Sequence, residues 1–316
     1  MKAVRIHEFG EPEVLQYEDV DEPDPASDEV RLRVRAAGVN PVDWMTRKGM
    51  VNERELPWTV GWDVAGVVDE IGSAVNELEV GDEVYGLVGF PSGGGTYAEA
   101  MVAPEAELMK KPTSLSFEEA AGMPMVALTA WQALQALELQ TGERVLIHAA
   151  AGGVGHLAVQ FAKQQGFHVI GTASGSNEEF LRELGVDEFV NYREERFEEV
   201  LEPVDGVVDG VGGETFDRSL EILDEGRIID KLPSPPTSEQ KELANQHGVQ
   251  AIMTNVHWDR EWFGEITELV ENGAISLTLD TVIPLSQAQE AHRLSEEKHA
   301  QGKIILSPEN EESGSN

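Results

Sequence analysis

Apolar and polar positions alternate in short runs through the first 120 residues. Val30-Arg-Leu-Arg-Val-Arg-Ala36 is the strictest case: Val30, Leu32 and Val34 fall on one face and three arginines on the other. A period of two predicts a half-buried strand. Val64 to Gly72 reads as a second strand, interrupted at Gly66. Glu79 to Gly86 reads as a tight turn entering a third, and Gly93 to Ala100 as the approach to a fourth. Short strands with turn signals between them suggest an all-β, barrel-like domain. From Ser116 the period lengthens. Glu118 and Glu119 suit the first turn of a helix, Gly122-Met-Pro124 breaks it, and Ala127 to Leu137 is helical in spacing. Strand and helix then alternate through Val204-Asp-Gly-Val-Val-Asp209 and Gly226-Arg-Ile-Ile-Asp230, which predicts a parallel, doubly wound α/β sheet. Near the end, Trp262 to Glu271 reads as a helix, and Ile275 to Val282 and Lys303 to Leu306 as strands that return to the first domain. Ser307 to Asn316 reads as a disordered tail.

One junction in the alternating half carries chemistry. Arg144-Val-Leu-Ile-His148 is a short apolar strand, Ala149-Ala-Ala-Gly-Gly-Val-Gly155 is a small-residue turn, and His156 to Gln165 has helical spacing with Gly166 placed to stop it. A strand, a glycine turn and a helix start expose backbone N–H groups that hold a pyrophosphate. Gly152 would let the backbone approach the phosphates and Gly155 would let the helix close on the strand, with Gly153 and Val154 between them. Ala150 stands where the first glycine of the fingerprint is usual. The apolar run Phe167 to Thr172 completes a βαβ unit, so dinucleotide binding is expected.

Charge sharpens this. Fifty-nine acids against twenty-three bases give a formal charge of −36, and the acids are spread along the chain. Such self-repulsion opposes compaction unless it is screened. At molar salt the Debye length is about 3 Å, so the composition predicts a halophile's cytoplasmic protein. Nucleic acids and anionic membranes are excluded as partners on the same ground. Against this background, Arg144 to Asn177 contains no acid at all. By composition about one window in a thousand of that length would be so free. Burial explains part of the gap; a phosphate site, which must exclude carboxylates, explains more. The second strand therefore ends without the acid that usually binds the ribose 2′-OH of NAD. Ser174, Ser176 and Asn177 stand there instead, which predicts NADPH, although no Arg or Lys lies in that segment.

With 316 residues, two domains are expected. The boundaries fall at 1–122 plus 265–316 for the strand-rich domain, its last eight or so residues a tail, and 123–264 for the nucleotide-binding domain. There are no cysteines, hence no disulfides or thiolate metal sites. The N-terminal segment has charges where a signal peptide needs an apolar core, and no run is long enough to span a membrane.

Taken in order, Ala37-Gly-Val-Asn-Pro-Val-Asp43, Val60-Gly-Trp-Asp-Val-Ala-Gly-Val-Val68, Val80-Gly-Asp-Glu-Val-Tyr85, Gly94-Gly-Thr-Tyr-Ala-Glu99, Leu128-Thr-Ala-Trp131 and Ala150-Ala-Gly-Gly-Val-Gly155 resemble the medium-chain dehydrogenase/reductase superfamily, in its zinc-free quinone oxidoreductase branch. The resemblance covers nearly the whole chain. It implies a GroES-like β-barrel catalytic domain drawn from both ends of the chain, a Rossmann domain between, a cofactor in the cleft, and a homodimer or homotetramer. Zinc alcohol dehydrogenases of the superfamily have a Cys ligand where Asn40 stands and a Gly-His-Glu segment where Gly61-Trp62-Asp63 stands. Zinc needs about four N, S or O donors; Asp43 and Asp63 alone do not complete a set, so no metal is expected.

Without a Lewis acid, an acceptor that takes hydride as a quinone or by conjugate addition is favoured over a simple alcohol. The expected reaction is hydride transfer from NADPH to a quinone or an α,β-unsaturated carbonyl, with the protein aligning donor and acceptor. By resemblance, Asn40 lies beside the nicotinamide ribose and substrate, Thr129 touches the nicotinamide end, and Tyr192 meets the 2′-phosphate. Arg193 reads either as its counter-charge or as a solvated surface residue. Val211, after the strand ending at Asp209, passes near the cofactor. Lys303 reads either as a cofactor contact or as a structural residue, and Asp43 either as catalytic or as an anchor for the Asn40 loop. Two other functions stay open: an enoyl-thioester or short-chain enone reductase on the same fold, and an NADPH-binding protein with little turnover.

Overall fold

The structure, a computed structural model, describes residues 1–51, 54–297 and 300–308. The chain divides into two compact units. Unit 1 comprises Met1–Met125, His257–Gly273 and Leu277–Asn316; unit 2 comprises Val126–Val256 and Ala274–Ser276.

Unit 1 begins with strands β1 (Lys2–Ile6) and β2 (Gln16–Asp19) and continues through β3 (Glu29–Val39), helix α1 (Pro41–Arg47), β4 (Trp58–Thr59), β5 (Asp63–Ile71), β6 (Glu83–Leu87), β7 (Ala100–Pro104), β8 (Met109–Lys110) and α2 (Phe117–Gly122). The alternation read at Val30–Ala36 is real: Val30, Leu32 and Val34 are buried with Val64, Val68 and Val84 in one core cluster. On the other face Arg31 pairs with Asp69 and Glu70, and Arg33 with Glu22 and Asp69. The strand approached from Gly93 starts at Ala100, where the approach ends. Gly94 and Gly95 hold φ of +103° and +110°, outside any ladder conformation. The β1–β2 hairpin and α1 were not read from the pattern at all, because each is too short to show a period.

Helix α3 (Pro124–Ala136) leads into unit 2, which is built from β9 (Arg144–Ile147), α4 (Gly155–Gln164), β10 (His168–Ala173), α5 (Glu178–Glu183), β11 (Glu188–Asn191), α6 (Phe197–Val200), β12 (Val204–Asp209), α7 (Glu214–Ser219), β13 (Leu223–Lys231), α8 (Ser238–Gln246) and β14 (Gln250–Ile252). The six strands are parallel in the order β11-β10-β9-β12-β13-β14. This is the doubly wound order, and its direction of winding reverses between β9 and β12. The core of the sheet includes Leu146, Ile170, Val207 and Ile229, all fully buried.

The chain then returns to unit 1 through α9 (Arg260–Glu271), β15 (Leu279–Pro284), α10 (Ala288–Glu297) and β16 (Lys303–Ser307). β15 and β16 extend the unit 1 sheet to β15-β16-β3-β5-β6-β8, with β7 also on β3. Two boundaries differ from the expected ones for local reasons. The first turn of α3 stays with unit 1 because the Met125 N–H donates to Asp63 Oδ1 at 2.9 Å. The return begins at His257 rather than 265: Trp258 Nε1 donates to the Ala106 carbonyl, and Tyr85 meets both the Phe263 ring at 4.8 Å and the Thr267 hydroxyl. The strand expected from Ile275 starts at Leu279 because Ser276 spends its backbone on the Gln160 amide instead of a ladder. Most of the expected tail, 309–316, lies outside the described residues.

Candidate active site

Two constellations stand out, one in each unit. In unit 2, β9 delivers the chain into the Ala149–Gly155 loop, where Ala149 adopts φ of +52°. Ala150 N–H donates to the Thr172 carbonyl and Gly152 N–H to that of Ala149, which fixes the loop against β10. The two glycines play different parts. A Cβ at Gly155 would stand 2.3 Å from the Ala149 oxygen and 2.7 Å from Ala150 Cα, both backbone atoms that cannot move aside. At Gly152 a Cβ would meet one atom, the Ala149 oxygen at 3.3 Å, so the space over that residue is otherwise open. Gly152, Gly153 and Val154 are half-buried, and the N–H groups of Val154 and Gly155 find no acceptor among the described residues. Free N–H groups at a helix start, beside a position that a side chain would fill, fit a dinucleotide pyrophosphate.

The neighbouring strand ends carry the other expected contacts. Ser174 and Asn177 follow β10, with Ser174 Oγ accepting from Asn177 Nδ2 at 3.1 Å and meeting Ser176 Oγ at 3.0 Å. Tyr192 follows β11, is 55% exposed, and donates its backbone N–H to Ala173, which brings it beside Ser174. Arg193 is exposed with its guanidinium 5.8 Å from the Tyr192 ring. Val211 is exposed in the turn after β12, where Asp209 Oδ1 accepts the Val211 and Gly212 N–H groups. Thr129 is half-buried on α3.

The sequence reading missed His148. It is buried under the loop, with Nδ1 2.9 Å from Thr172 Oγ1 and Nε2 2.9 Å from Ser219 Oγ. Burial pushes its pKa down to about 3, so it is neutral. It ties β10 and α7 to the end of β9. Nothing local distinguishes it, since both partners lie far along the chain.

In unit 1 a polar cluster is sealed inside apolar surroundings. Asn40 caps α1 with Pro41 at the first helical position, and its N–H donates to Asp43 Oδ2 at 2.7 Å. Tyr97 Oη donates to the same oxygen at 2.8 Å. The Asn40 amide has a defined orientation because its neighbours differ in kind. Lys303 Nζ can only donate and meets Oδ1 at 2.6 Å; Asp63 Oδ2 can only accept while ionised and meets Nδ2 at 2.9 Å. Lys303 also donates to the Val39 carbonyl and lies 3.7 Å from Asp63. Asn40, Asp43, Asp63 and Lys303 are all buried. Burial raises the Asp63 pKa against the pull of Lys303, and lowers that of Lys303 against both carboxylates. Burial pushes Asp43, whose Oδ1 has no partner among the described residues, up to about 7 against the hydrogen bonds from Asn40 and Tyr97 and the pull of Lys303. The structure therefore brings Asn40, Asp43 and Lys303 together. It adds Asp63 and Tyr97, which no spacing rule would have joined to them. Trp62, also fully buried, presents an N–H rather than a metal-ligating lone pair. Among the described residues no three His, Asp or Glu side chains gather as a metal site.

Comparison with known proteins places the chain among oxidoreductases. Residues 26–113 match the alcohol dehydrogenase GroES-like domain and residues 184–306 a family described as zinc-binding dehydrogenase. The chain is 32% identical over 324 residues to an NADPH-dependent alkenal/one oxidoreductase of Arabidopsis thaliana, covering 98% of this chain and 80% of that one. Among solved structures it is similar to the quinone oxidoreductase from Coxiella burnetii, at 38% identity and a TM-score of 0.93, with 98% and 99% of the two chains covered. It is also similar to Escherichia coli quinone oxidoreductase complexed with NADPH, at 30% identity and a TM-score of 0.90 over 98% and 100%. No helix among the described residues is long and apolar enough to cross a membrane.

Proposed function

The chain belongs to the quinone oxidoreductase branch of the medium-chain dehydrogenase/reductase superfamily, and from that premise we propose that it is an NADPH-dependent, zinc-independent reductase of quinones or α,β-unsaturated carbonyl compounds. The observation that carries this reading is the Ala149–Gly155 loop, open over Gly152 and closed to any side chain at Gly155. In this reading the loop binds the pyrophosphate, and Ser174, Asn177 and Tyr192 receive the 2′-phosphate in a segment free of acids. NADPH, when bound, supplies the hydride. Asn40 and Thr129 orient the nicotinamide and the acceptor, and positioning does most of the catalytic work. Lys303 and Asp63 set the Asn40 amide, and Asp43 anchors its backbone. The absent Cys and His ligands at Asn40 and Trp62 support a reaction without zinc. The charge of −36 supports work in concentrated salt, in the cytoplasm; the family supports a homodimer or homotetramer.

The test is oxidation of NADPH and NADH in molar KCl with a panel of quinones, enones and enoyl thioesters, before and after exhaustive chelation. Saturable NADPH oxidation by quinones or enones that survives chelation is expected. Turnover confined to thioesters would move the activity to the enoyl-thioester reading. NADPH binding without turnover would make the chain a binding protein, and loss on chelation would overturn zinc independence.

A further inference from the structure

Arg54 is placed unlike the other arginines of unit 1. Arg5, Arg31, Arg33, Arg47, Arg260 and Arg293 each have a carboxylate within salt-bridge distance, and Arg35 is exposed. Arg54 is half-buried and has no ion pair among the described residues, in a chain with fifty-nine acids. Burial pushes its pKa down. Its guanidinium carbon lies 5.0 Å from the Trp58 ring and 5.3 Å from the Trp62 ring. Trp62 in turn lies 5.3 Å from Trp58 and 5.4 Å, edge on, from Phe90.

The wall is built rather than incidental. Gly95 N–H donates to the Gly61 carbonyl and Val88 N–H to that of Trp62, which holds the 88–95 segment against the strand connection. A Cβ at Gly94 would stand 2.5 Å from the Gly61 oxygen and 3.0 Å from the Trp62 ring, so a glycine is needed there. Arg54 Nη1 donates to the Ser92 carbonyl at 2.9 Å and Nη2 to that of Pro91. Of five N–H groups, two are thus used, and the Nε–H is buried with no partner among the described residues. Trp62 directly precedes Asp63, whose carboxylate holds the Asn40 amide.

A partly desolvated guanidinium with spare donors, set over indole rings and with no counter-ion among the described residues, suits a planar anion. We infer that Arg54 recognises a carboxylate on the substrate, so that the preferred acceptor is a conjugated carbonyl compound carrying a carboxylate, its apolar part against the partly exposed Trp58 and Phe90, with buried Trp62 backing them. This inference rests on the reductase reading for its substrate class, though binding of the carboxylate does not depend on turnover.

The test compares acids with their methyl esters, in which the charge is removed by one added methyl group. For turnover these are 6-oxo-7-octenoate and its methyl ester; for binding without turnover, the saturated 6-oxooctanoate and its methyl ester, titrated calorimetrically in molar KCl. The acid should exceed the ester about tenfold or more in kcat/KM, mainly through KM, and in affinity. Arg54→Gln should bring both ratios close to one, and Arg54→Lys, which keeps the charge without the fork, should restore part of them. Acid and ester handled equally by the wild-type protein would overturn the inference whether or not any variant folds. An Arg54→Gln variant that weakens both compounds to the same extent would show that the arginine merely braces the 88–95 segment. Preferential binding of the acid with no turnover of either enone would leave this site standing and remove the reductase reading.

Discussion

The glycine loop of unit 2 and the Asn40 cluster of unit 1 are both polar sites set in apolar surroundings, but they are made of different material. The loop is backbone: a Cβ at Gly155 would strike backbone atoms, the space over Gly152 is open, and the N–H groups without an acceptor among the described residues belong to a helix start. The cluster is side chain: one ammonium, two carboxyl groups, one phenol and one amide, buried together, with Lys303 and Asp63 each offsetting the cost of burying the other's charge. A backbone site fails when something is added to it. A buried charge cluster fails when one member is taken away, because the remaining charges lose their compensation. Substitutions in the two regions should therefore break the protein in opposite ways.

The largest effect is expected at Gly155. Gly155→Val puts a branched side chain on the Ala149 carbonyl and the Ala150 backbone, and should cost about 4 kcal/mol or more. Denaturant unfolding in molar KCl measures it; a loss below about 1 kcal/mol would mean that the helix does not need its close approach to the loop. Next is Lys303→Met, which strands Asp63 beside Asn40 and should cost about 3–5 kcal/mol. If the ammonium acts through Asp63, Lys303→Met combined with Asp63→Asn should cost clearly less than the sum of the single changes. Strict additivity would show that the two do not interact.

A pH effect should follow in size, and it belongs to Asp43. Its folded pKa of about 7 lies above the unfolded value of about 3.9. The folded state therefore holds a proton that the unfolded state releases. The group's contribution is fully present below pH 4 and is lost as pH rises towards 7, by at most about 4 kcal/mol. Buried His148 and His292, both pushed down to about 3, act in the opposite sense, with stability lost as pH falls from about 6.5 towards 3. The Asp43 term is isolated by comparison with Asp43→Asn: the variant should gain on the wild type between pH 4 and 7 and run parallel above that. A difference that stays constant with pH would place the Asp43 pKa near its ordinary value. The smallest effect is on catalysis, where Asn40→Ala should slow quinone reduction about ten- to a hundredfold, the loss of one polar contact worth about 1–3 kcal/mol. An inert Asn40→Ala would move the reacting centre elsewhere.

The same contrast decides what could be read from the chain. The unit 2 loop is contiguous, so strand, turn and helix start appear side by side in Arg144–Gln165 and the parallel sheet follows from the alternation around it. The long alternating strand at Val30 was equally visible. The cluster draws on residues 40, 43, 63, 97 and 303, and no periodicity joins those positions. Resemblance pointed to Asn40 and Lys303 separately; that Lys303 and Asp63 grip opposite ends of the Asn40 amide appeared in three dimensions alone. His148 was invisible for the same reason. Unit boundaries slipped by a few residues where one hydrogen bond, such as Met125 to Asp63, outweighed a Gly-Pro break.

The measurement that bears most directly on the account is the titration of NADPH, followed by nicotinamide fluorescence in molar KCl, into wild-type protein and Gly152→Val, with unfolding of both recorded in the same buffer. A Cβ at Gly152 meets one backbone atom at 3.3 Å, so the variant should keep its stability within about 1 kcal/mol and yet show no saturable NADPH binding, because the side chain fills the space the phosphates need. A folded Gly152→Val protein that binds NADPH as tightly as the wild type would contradict the assignment of the loop, and with it the function built upon it.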